Sequence, residues 1–445
     1  MDPALALALL ISSLNLVTGA NDPSTFLDFG DDFIFGLAWD SFQFEGSPPL
    51  DKNNNTASNT QRWCEWALNG GQDTPYMEIC GDVVAGGWTH MENDVSLLRS
   101  MQMKHVNGQI SWSRVYPNGM GGEMNETALL KYDNMLQSMK DAGVEVWLSI
   151  DVAGVDFPAI YKEEFGAWLD ERMVNEYVSW ATFLFDRYSS QVTNWFSFHE
   201  PDTFCSTVVN TWRYNAPRPN ENDTTTMDYQ HDHYNCIHNM LRGHARFSRH
   251  IKASGLENAT LSIISGADWP IPNTESDADI AASDRLMIWQ LGSWIEPTVT
   301  GDYPPEMRAA AGDRLPQFTN EEKEMLKNSS TYAGVDHYTN QIVEAKDVDN
   351  VYCEYNVSSL QDAMTSDICI NYYLDCDDER CGPLVNPEGG DKMSYFRRYP
   401  EGLGNVLRWM GKRWPGMKLL VAENGVGLDE CSNGEATRSS QNYLA

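Results

Sequence analysis

The sequence predicts an α/β fold and, within that class, a (β/α)8 (TIM) barrel. Short apolar runs of strand character alternate with segments whose apolar residues recur at helical spacing, and this alternation favours a parallel sheet covered by helices. Several predicted strands end on polar residues followed by Gly, Asn or Pro, and the carboxyl ends of the strands are where such a barrel gathers its chemistry. An open doubly wound sheet is the alternative that this pattern leaves.

Predicted strands and helices follow one another along the whole chain. The strands are short runs rich in β-branched and aromatic residues, and they span 33–39, 144–150, 192–198, 261–267, 332–338 and 418–423. The helices have apolar residues at intervals of three and four, and they span 92–101, 127–143, 173–189 and 401–414. No linker divides the chain, so we expect residues 21–445 to form a single barrel domain.

The first twenty residues are predicted to be a secretory signal peptide. They hold an apolar run from Ala4 to Ile11 and end on the small residues Gly19 and Ala20, as a signal peptide does. The run is too short to span a membrane, so we expect a secreted protein. Sequons of the form N-x-S/T fit that compartment and predict N-glycosylation at Asn54, Asn125, Asn222, Asn258, Asn328 and Asn356.

The cysteines are expected to form disulfides, because the predicted compartment is oxidising. Their number is nine, so at least one is unpaired or bonds another chain. The spacing of Cys369, Cys376 and Cys381 is wrong for a zinc ribbon, and disulfides are favoured over a metal there. We expect no metal and no cofactor, and we expect the stretch 340–395 to be a loop over the site, held by its cysteines.

The chain is strongly acidic. Its formal charge at pH 7 is −33, and this charge repels polyanions such as nucleic acid and anionic membrane surfaces. We therefore expect neither nucleic acid nor membrane among its partners.

Two glutamates close predicted strands at distant points of the chain. Glu200 follows the strand in NWFSFHEP, and Glu423 ends the strand in LLVAENG. In a barrel these strand ends converge, and two carboxylates about 5–5.5 Å apart suit double displacement at a sugar's anomeric carbon, with one as nucleophile and the other as acid and then base. Each motif alone is equally consistent with a turn or a salt-bridged surface acid.

From about residue 31 onward the chain resembles glycoside hydrolase family 1, the β-glucosidase, myrosinase and lactase-like family. The motifs that carry this resemblance occur in the family's order: FIFGLAWDSFQFEG, ISWSRVYPNG, NMLRGHA, EPTVTGDYPPEM, RLPQFT, GVDHYT, PEGL and LLVAENG. The resemblance implies a retaining β-glycosidase that hydrolyses O- or S-glycosides and takes a small glycoside as substrate. It implies Glu200 as acid/base, Glu423 as nucleophile, Tyr338 as a hydrogen-bond donor to the nucleophile, and Gln43 as a ligand of the sugar's outer hydroxyls.

The chain departs from the family's pattern around the sugar. His199 stands where the family has an asparagine that donates to the sugar 2-hydroxyl, and we expect a ring nitrogen of His199 to donate there. In ungapped alignment, Gly154 and Val155 replace a histidine and a tryptophan, and Asn107 replaces an arginine beside the nucleophile. Because an arginine there would favour an ionised carboxylate, its loss predicts that Glu423 is less readily ionised than in relatives.

The C-terminal end leaves several alternatives open. The family continues past ENG through an eighth strand and helix, whereas twenty-two residues follow Glu423 here. Either the barrel lacks these elements, or another segment or subunit fills the gap, or the chain is truncated. An open sheet edge and an unpaired cysteine are then two routes to an oligomer.

Two further functions also stay open. One is a catalytically inactive family member that serves as a secreted binding or recognition protein, and the other is altered chemistry on a non-standard substrate. The retained glutamates favour the hydrolase, because two close carboxylates repel each other and cost stability where no chemistry needs them.

Overall fold

A parallel, nearly closed barrel is the centre of the molecule. The computed structural model describes residues 33–45, 87–154, 156–209, 231–346, 367–373, 380 and 399–425. Within these ranges, seven strands form one parallel sheet in the order β1 (Gly36–Ala38), β2 (His105–Gln109), β3 (Glu145–Ser149), β4 (Asn194–His199), β5 (Thr260–Gly266), β7 (Tyr332–Asp336) and β10 (Lys418–Glu423). The two end strands, β1 and β10, lie next to each other. The structure thus has the barrel architecture that the sequence predicts.

Helices follow the strands and surround the barrel. They are α1 (Ser41–Phe44), α2 (Gly87–Ser100), α3 (Trp112–Val115), α4 (Glu126–Asp141), α5 (Ala159–Phe165), α6 (Arg172–Tyr188), α7 (Pro201–Val209), α8 (Asp232–Ser254), α9 (Asp277–Met287), α10 (Ser293–Thr300), α11 (Pro305–Ala311), α12 (Asn320–Leu326) and α13 (Pro400–Arg413). All four helices predicted from spacing are confirmed, as α2, α4, α6 and α13, with small differences at their ends.

Helix α6 packs against strand β4, the strand that precedes Glu200. Its apolar residues recur at helical spacing and are buried, including Tyr177 and Trp180. The Tyr177 ring stacks on Phe198 of β4 at 4.6 Å between centroids, and its hydroxyl donates to the Ser197 carbonyl at 2.6 Å. Aromatic packing and a buried hydrogen bond therefore hold the carboxyl end of β4 in place.

A second, small sheet was missed from sequence. Its strands are β6 (Trp269–Pro272), β8 (Asn340–Ala345) and β9 (Ile370–Tyr373). Two prolines in β6 hide its strand character, because proline is typical of strand edges rather than strand centres. The prediction of a loop over 340–395 is therefore wrong for β8 and β9.

Two cysteine pairs bear on the disulfide prediction. Cys205 of α7 bonds Cys236 of α8, and Cys369 is also disulfide-bonded. Cys376 and Cys381 lie outside the described residues.

The predicted export features fall largely outside the described ranges. The signal peptide over residues 1–20 and the sequons at Asn54, Asn222 and Asn356 lie there. The other three sequon residues, Asn125, Asn258 and Asn328, are exposed. In the part of the chain that the structure describes, no helix is both long and apolar enough to cross a membrane.

Candidate active site

Both predicted catalytic glutamates lie just beyond an irregularity in their strands. The register of β4 against β5 shifts between Phe196 and Phe198, and that of β10 against β7 shifts between Val421 and Glu423. Such bulges are common near active sites because they re-aim a side chain. The sheet therefore turns each glutamate away from the direction that regular pairing would give it.

The backbone of Glu200 is itself in an uncommon conformation. Its φ is +51°, in the left-handed region that costs free energy for a residue with a side chain. The neighbouring strand supports this conformation, since the Glu200 N–H donates to the Ile264 carbonyl at 3.0 Å. Pro201 then begins α7, as is common at the first position of a helix.

Gly266, at the end of β5, leaves room for two carboxyl groups. A Cβ at this glycine would lie 3.3 Å from Oδ2 of Asp202 and 3.5 Å from Oε1 of Glu200. Asp202 belongs to the first turn of α7, and it accepts from the Gly266 N–H and the Ser265 hydroxyl, both at 3.2 Å. Glu200 and Asp202 thus share one cleft beside β5.

Glu423 is held from both its backbone and its side chain. Its carbonyl accepts from the His337 N–H at 3.1 Å, and the next residue, Asn424, donates its amide to the His337 carbonyl at 2.5 Å. The Tyr338 hydroxyl donates to Oε2 of Glu423. The nucleophile predicted from sequence and its predicted hydrogen-bond donor are therefore in contact.

His199 lies between several polar groups inside the barrel. Its Nε2 is 2.7 Å from Oδ2 of Asp336 and 3.3 Å from Oε1 of Glu423. Its Nδ1 is 3.4 Å from the amide of Asn107, whose carbonyl accepts from the Ser149 hydroxyl at 3.0 Å. Both ring nitrogens of His199 thus face protein groups, which disagrees with the expectation that one of them is free for the sugar 2-hydroxyl.

Comparison with known proteins identifies the family. The pattern of glycosyl hydrolase family 1 matches residues 26–441. The chain belongs to glycosyl hydrolase family 1. By that membership the protein is a glycosidase.

Relatives and solved structures agree with this assignment. "Beta-glucosidase 8" of Arabidopsis thaliana is 27% identical over 418 residues, which are 94% of this chain and 77% of the relative. "Beta-glucosidase 42" of the same plant is 26% identical over 437 residues, 96% of this chain and 82% of the relative. The structure of a rice β-glucosidase has a TM-score of 0.74 with 22% identity, covering 89% of this chain and 80% of that one. That of an aphid myrosinase has a TM-score of 0.72 with 22% identity, covering 91% and 82%.

The surroundings of Glu200 in this family 1 glycosidase favour its protonated form. Burial raises the pKa of Glu200 well above its usual value, and the charges of Asp336, Glu423 and Asp202 raise it further. Burial also raises the pKa of Asp202 to about 6. A carboxyl group whose protonated form is favoured in this way is able to act as a general acid.

The other ionisable groups of the site are also shifted. Burial disfavours the imidazolium of His199, but the charge and hydrogen bond of Asp336 and the charges of Glu423 and Glu200 outweigh it and raise the pKa of His199 to about 10. Burial and the charges of Glu423 and Glu200 hold the pKa of the Tyr338 hydroxyl well above its usual value. Tyr338 therefore remains a hydrogen-bond donor over the working range of pH.

The structure describes the remaining residues named from sequence only in part. Gln43 lies in α1 rather than in a strand, and its side chain is outside the described residues. Gly154 has a φ of +63°, and a Cβ there would lie 2.5 Å from Cβ of Phe204. This turn has no space for the histidine that ungapped alignment places at Gly154, and Val155 lies outside the described residues.

Two acids of the site were missed from sequence. Asp336 ends β7 and Asp202 lies in the first turn of α7, so both follow the rule that strand ends carry the chemistry. Asp336 stands two residues before Tyr338 in GVDHYT, which is the signal that could have drawn attention to it. Among the residues that the structure describes, no group of three or more His, Cys, Asp or Glu is arranged to hold a metal ion.

Proposed function

We propose that this glycosidase hydrolyses small β-glucosides with retention of configuration, with Glu423 as nucleophile and Glu200 as acid/base. The observation that carries the proposal is the different setting of the two glutamates. Glu200 is surrounded by other acids that favour its protonated form, while Glu423 accepts a hydrogen bond from the Tyr338 hydroxyl and lies beside His199. Double displacement needs this difference, with one protonated carboxyl and one ionised carboxylate at the same bond.

The two steps assign a role to each glutamate. In the first step an oxygen of Glu423 bonds to the anomeric carbon as the bond to the leaving oxygen breaks, and Glu200 gives its proton to that oxygen. In the second step Glu200, now ionised, takes a proton from water, the water oxygen bonds to the anomeric carbon, and Glu423 is released. The products are a β-configured sugar and an alcohol, and both glutamates return to their starting states.

Relatives support the choice of substrate and mechanism. The relatives from Arabidopsis thaliana bear the name β-glucosidase. One solved rice enzyme is a mutant described as being in a covalent complex with glucose, and a fungal enzyme from Humicola insolens is described in complex with glucose. A covalent complex with the sugar is what double displacement requires.

The test separates the two glutamates by chemical rescue. We expect Glu200→Ala and Glu423→Ala each to lower kcat for 4-nitrophenyl β-glucoside by about 10³-fold or more, since each removes a group that acts in the transition state. Added azide should restore turnover in both, giving the β-glucosyl azide with Glu200→Ala and the α-glucosyl azide with Glu423→Ala. The anomer of the product therefore assigns each role.

The matched control is Glu321→Ala. The Glu321 side chain is 74% exposed and pairs with Arg249 on the surface, so this variant should keep the activity of the wild type. A folded wild-type protein that does not turn over β-glucosides, β-galactosides or β-fucosides would contradict the proposal and favour the inactive binding protein.

A further inference from the structure

Ionisable side chains crowd around His199 at the carboxyl ends of the strands. Asp336 of β7 and Glu423 of β10 contact its Nε2 directly, and the charge of Glu200 also acts on it. His199 and Asp336 are almost fully buried, with 2% and 0% of their surface exposed. Several carboxyl groups in so little water repel one another unless a positive charge lies among them.

We propose that His199 is a positioning residue for the hydrolysis: as an imidazolium held by Asp336, it orients the Glu423 carboxylate and offsets its negative charge. This inference rests on the proposed function, in which Glu423 is the nucleophile. It assigns to Asp336 the task of holding the imidazolium, and it replaces the expected contact between His199 and the sugar 2-hydroxyl.

A backbone hydrogen bond and two contacts at Nε2 fix the position of His199. The His199 N–H of the backbone donates to the Asp151 carbonyl at 2.9 Å, and Asp336 accepts from Nε2 at 2.7 Å. Glu423 lies on the same nitrogen at 3.3 Å. The shorter contact is to the fully buried Asp336, so that carboxylate holds the ring in place. The charge of the ring also attracts the Glu423 carboxylate, at the longer distance.

The far side of the ring is able to accommodate an imidazolium. A protonated ring needs an acceptor at Nδ1 as well, and the Asn107 side chain is 3.4 Å away. An amide offers an oxygen or an NH2 group according to which way it is turned. With its oxygen toward Nδ1, the NH2 group of Asn107 meets the Ser149 hydroxyl, which is able to accept.

This arrangement changes the expectation drawn from Asn107. The family resemblance places an arginine at that position beside the nucleophile, and its loss alone predicts a less readily ionised Glu423. His199 supplies a positive charge to the same carboxylate from a different strand, β4. The positive charge beside Glu423 is therefore supplied by His199 instead of by an arginine at position 107, and Asn107 lies next to His199.

The first experiment measures the charge of the ring directly. Protein containing ¹⁵N-labelled histidine is titrated by NMR from pH 5 to 9, and the resonances of His199 are assigned by their absence in His199→Asn. We expect both ring nitrogens of His199 to remain protonated at pH 8, as follows from a pKa of about 10. A neutral ring at pH 7 would overturn the inference, whether or not the enzyme is active.

The second experiment measures the pH dependence of kcat/KM in variants. Removing an opposite charge this close raises the pH at which a carboxylate becomes ionised by about 1–2 units. We therefore expect the acidic limb to move up by that amount in His199→Asn, with a loss of about 10- to 100-fold below the limb. The double variant His199→Asn/Asp336→Asn leaves no uncompensated buried carboxylate at the pair, so it should fold. Its acidic limb should move up by less than in His199→Asn, because the variant also removes the negative charge of Asp336 that repels Glu423.

The control has the same kind of contact away from the site. His250 lies 2.7 Å from Asp186 on the surface, and His250→Asn should leave the acidic limb unchanged. An acidic limb at the wild-type position in both His199 variants would overturn the positioning role. A wild-type protein without turnover would instead remove the proposed reaction, and the NMR result separates that outcome from a neutral His199 in an active enzyme.

Discussion

At the scale of single residues, the hydroxyl of Tyr338 is a sensitive test of the site. It donates to Oε2 of Glu423, and its raised pKa keeps it protonated. A hydrogen bond to a charged group contributes about 1.5–3 kcal/mol. We therefore expect Tyr338→Phe to lower kcat/KM for 4-nitrophenyl β-glucoside by about 10- to 150-fold, measured at the pH optimum.

Tyr188→Phe is the matched control for this prediction. The Tyr188 hydroxyl donates to Oδ1 of Asp133 at 2.9 Å, so the variant also removes a tyrosine-to-carboxylate bond, but at the end of α6. It should lower thermal stability slightly and leave kcat/KM unchanged. Equal kinetic losses in both variants would mean that Tyr338 acts through stability and not through Glu423.

Individual site residues are easier to predict from sequence than the contacts between them. Glu200 and Glu423 are predicted because each closes a predicted strand, and Tyr338 is predicted from the family resemblance. The contact of His199 with Asp336 joins residues 137 positions apart, and only the register of β4, β5 and β7 brings them together. The direction of the His199 ring depends on that packing, which local sequence does not encode.

At the scale of elements, apolar pattern and length decided which strands were found. The runs in β3, β4, β5 and β7 are apolar and short, as expected for strands buried on both faces. Strand β10 has a similar apolar run, although its residues are only partly buried or exposed. Strand β2 has the sequence HVNGQ, and its polar residues and glycine give no strand signal. The glycine is needed there, because a Cβ on Gly108 would lie 2.4 Å from the Trp39 ring.

The disulfide between α7 and α8 gives the prediction at this scale. Cys205 and Cys236 are 31 residues apart, and both are fully buried. Closing a loop of this length lowers the entropy of the unfolded chain and stabilises the fold by about 3 kcal/mol. We expect Cys205→Ala/Cys236→Ala to lose about that free energy of unfolding, measured by denaturation in urea.

The single variants provide the control for the disulfide. Cys205→Ala and Cys236→Ala each break the same bond, so each should lose nearly as much stability as the double variant. If the double variant instead loses the sum of the free energies of unfolding that the two single variants lose, side-chain packing rather than the disulfide is responsible. A double variant as stable as the wild type would contradict the prediction.

At the scale of the whole molecule, buried ionisable groups and net charge act in the same direction. Burial raises the pKa of Glu45 to about 7, against the lowering effects of Arg114 and Tyr132. Burial also raises the pKa of Glu200, while Asp336 and the other acids raise that of His199. The formal charge of −33 at pH 7 adds self-repulsion that grows as these groups lose protons.

Linkage gives the sign of the effect on stability. Between its unfolded and folded pKa values, each of these groups keeps a proton in the native state that the unfolded chain releases, so stability falls as the pH rises. For Glu45 this interval runs from 4.5 to about 7, and for His199 from 6.5 to about 10. Buried His238 and His244 act in the opposite direction, since burial lowers their pKa values to about 4 and about 3, but only below 6.5.

Above pH 6.5 both Glu45 and His199 still change their charge, and both favour unfolding as protons leave. We expect the melting temperature to fall by about 3 °C between pH 6.5 and 8.5, measured by scanning calorimetry at constant ionic strength. Glu45→Gln, which mimics the protonated form, should reduce the slope near pH 7 even if it lowers stability overall. A melting temperature that rises across this interval would mean that, in the native protein, Glu45 is already ionised and His199 is already neutral at pH 6.5.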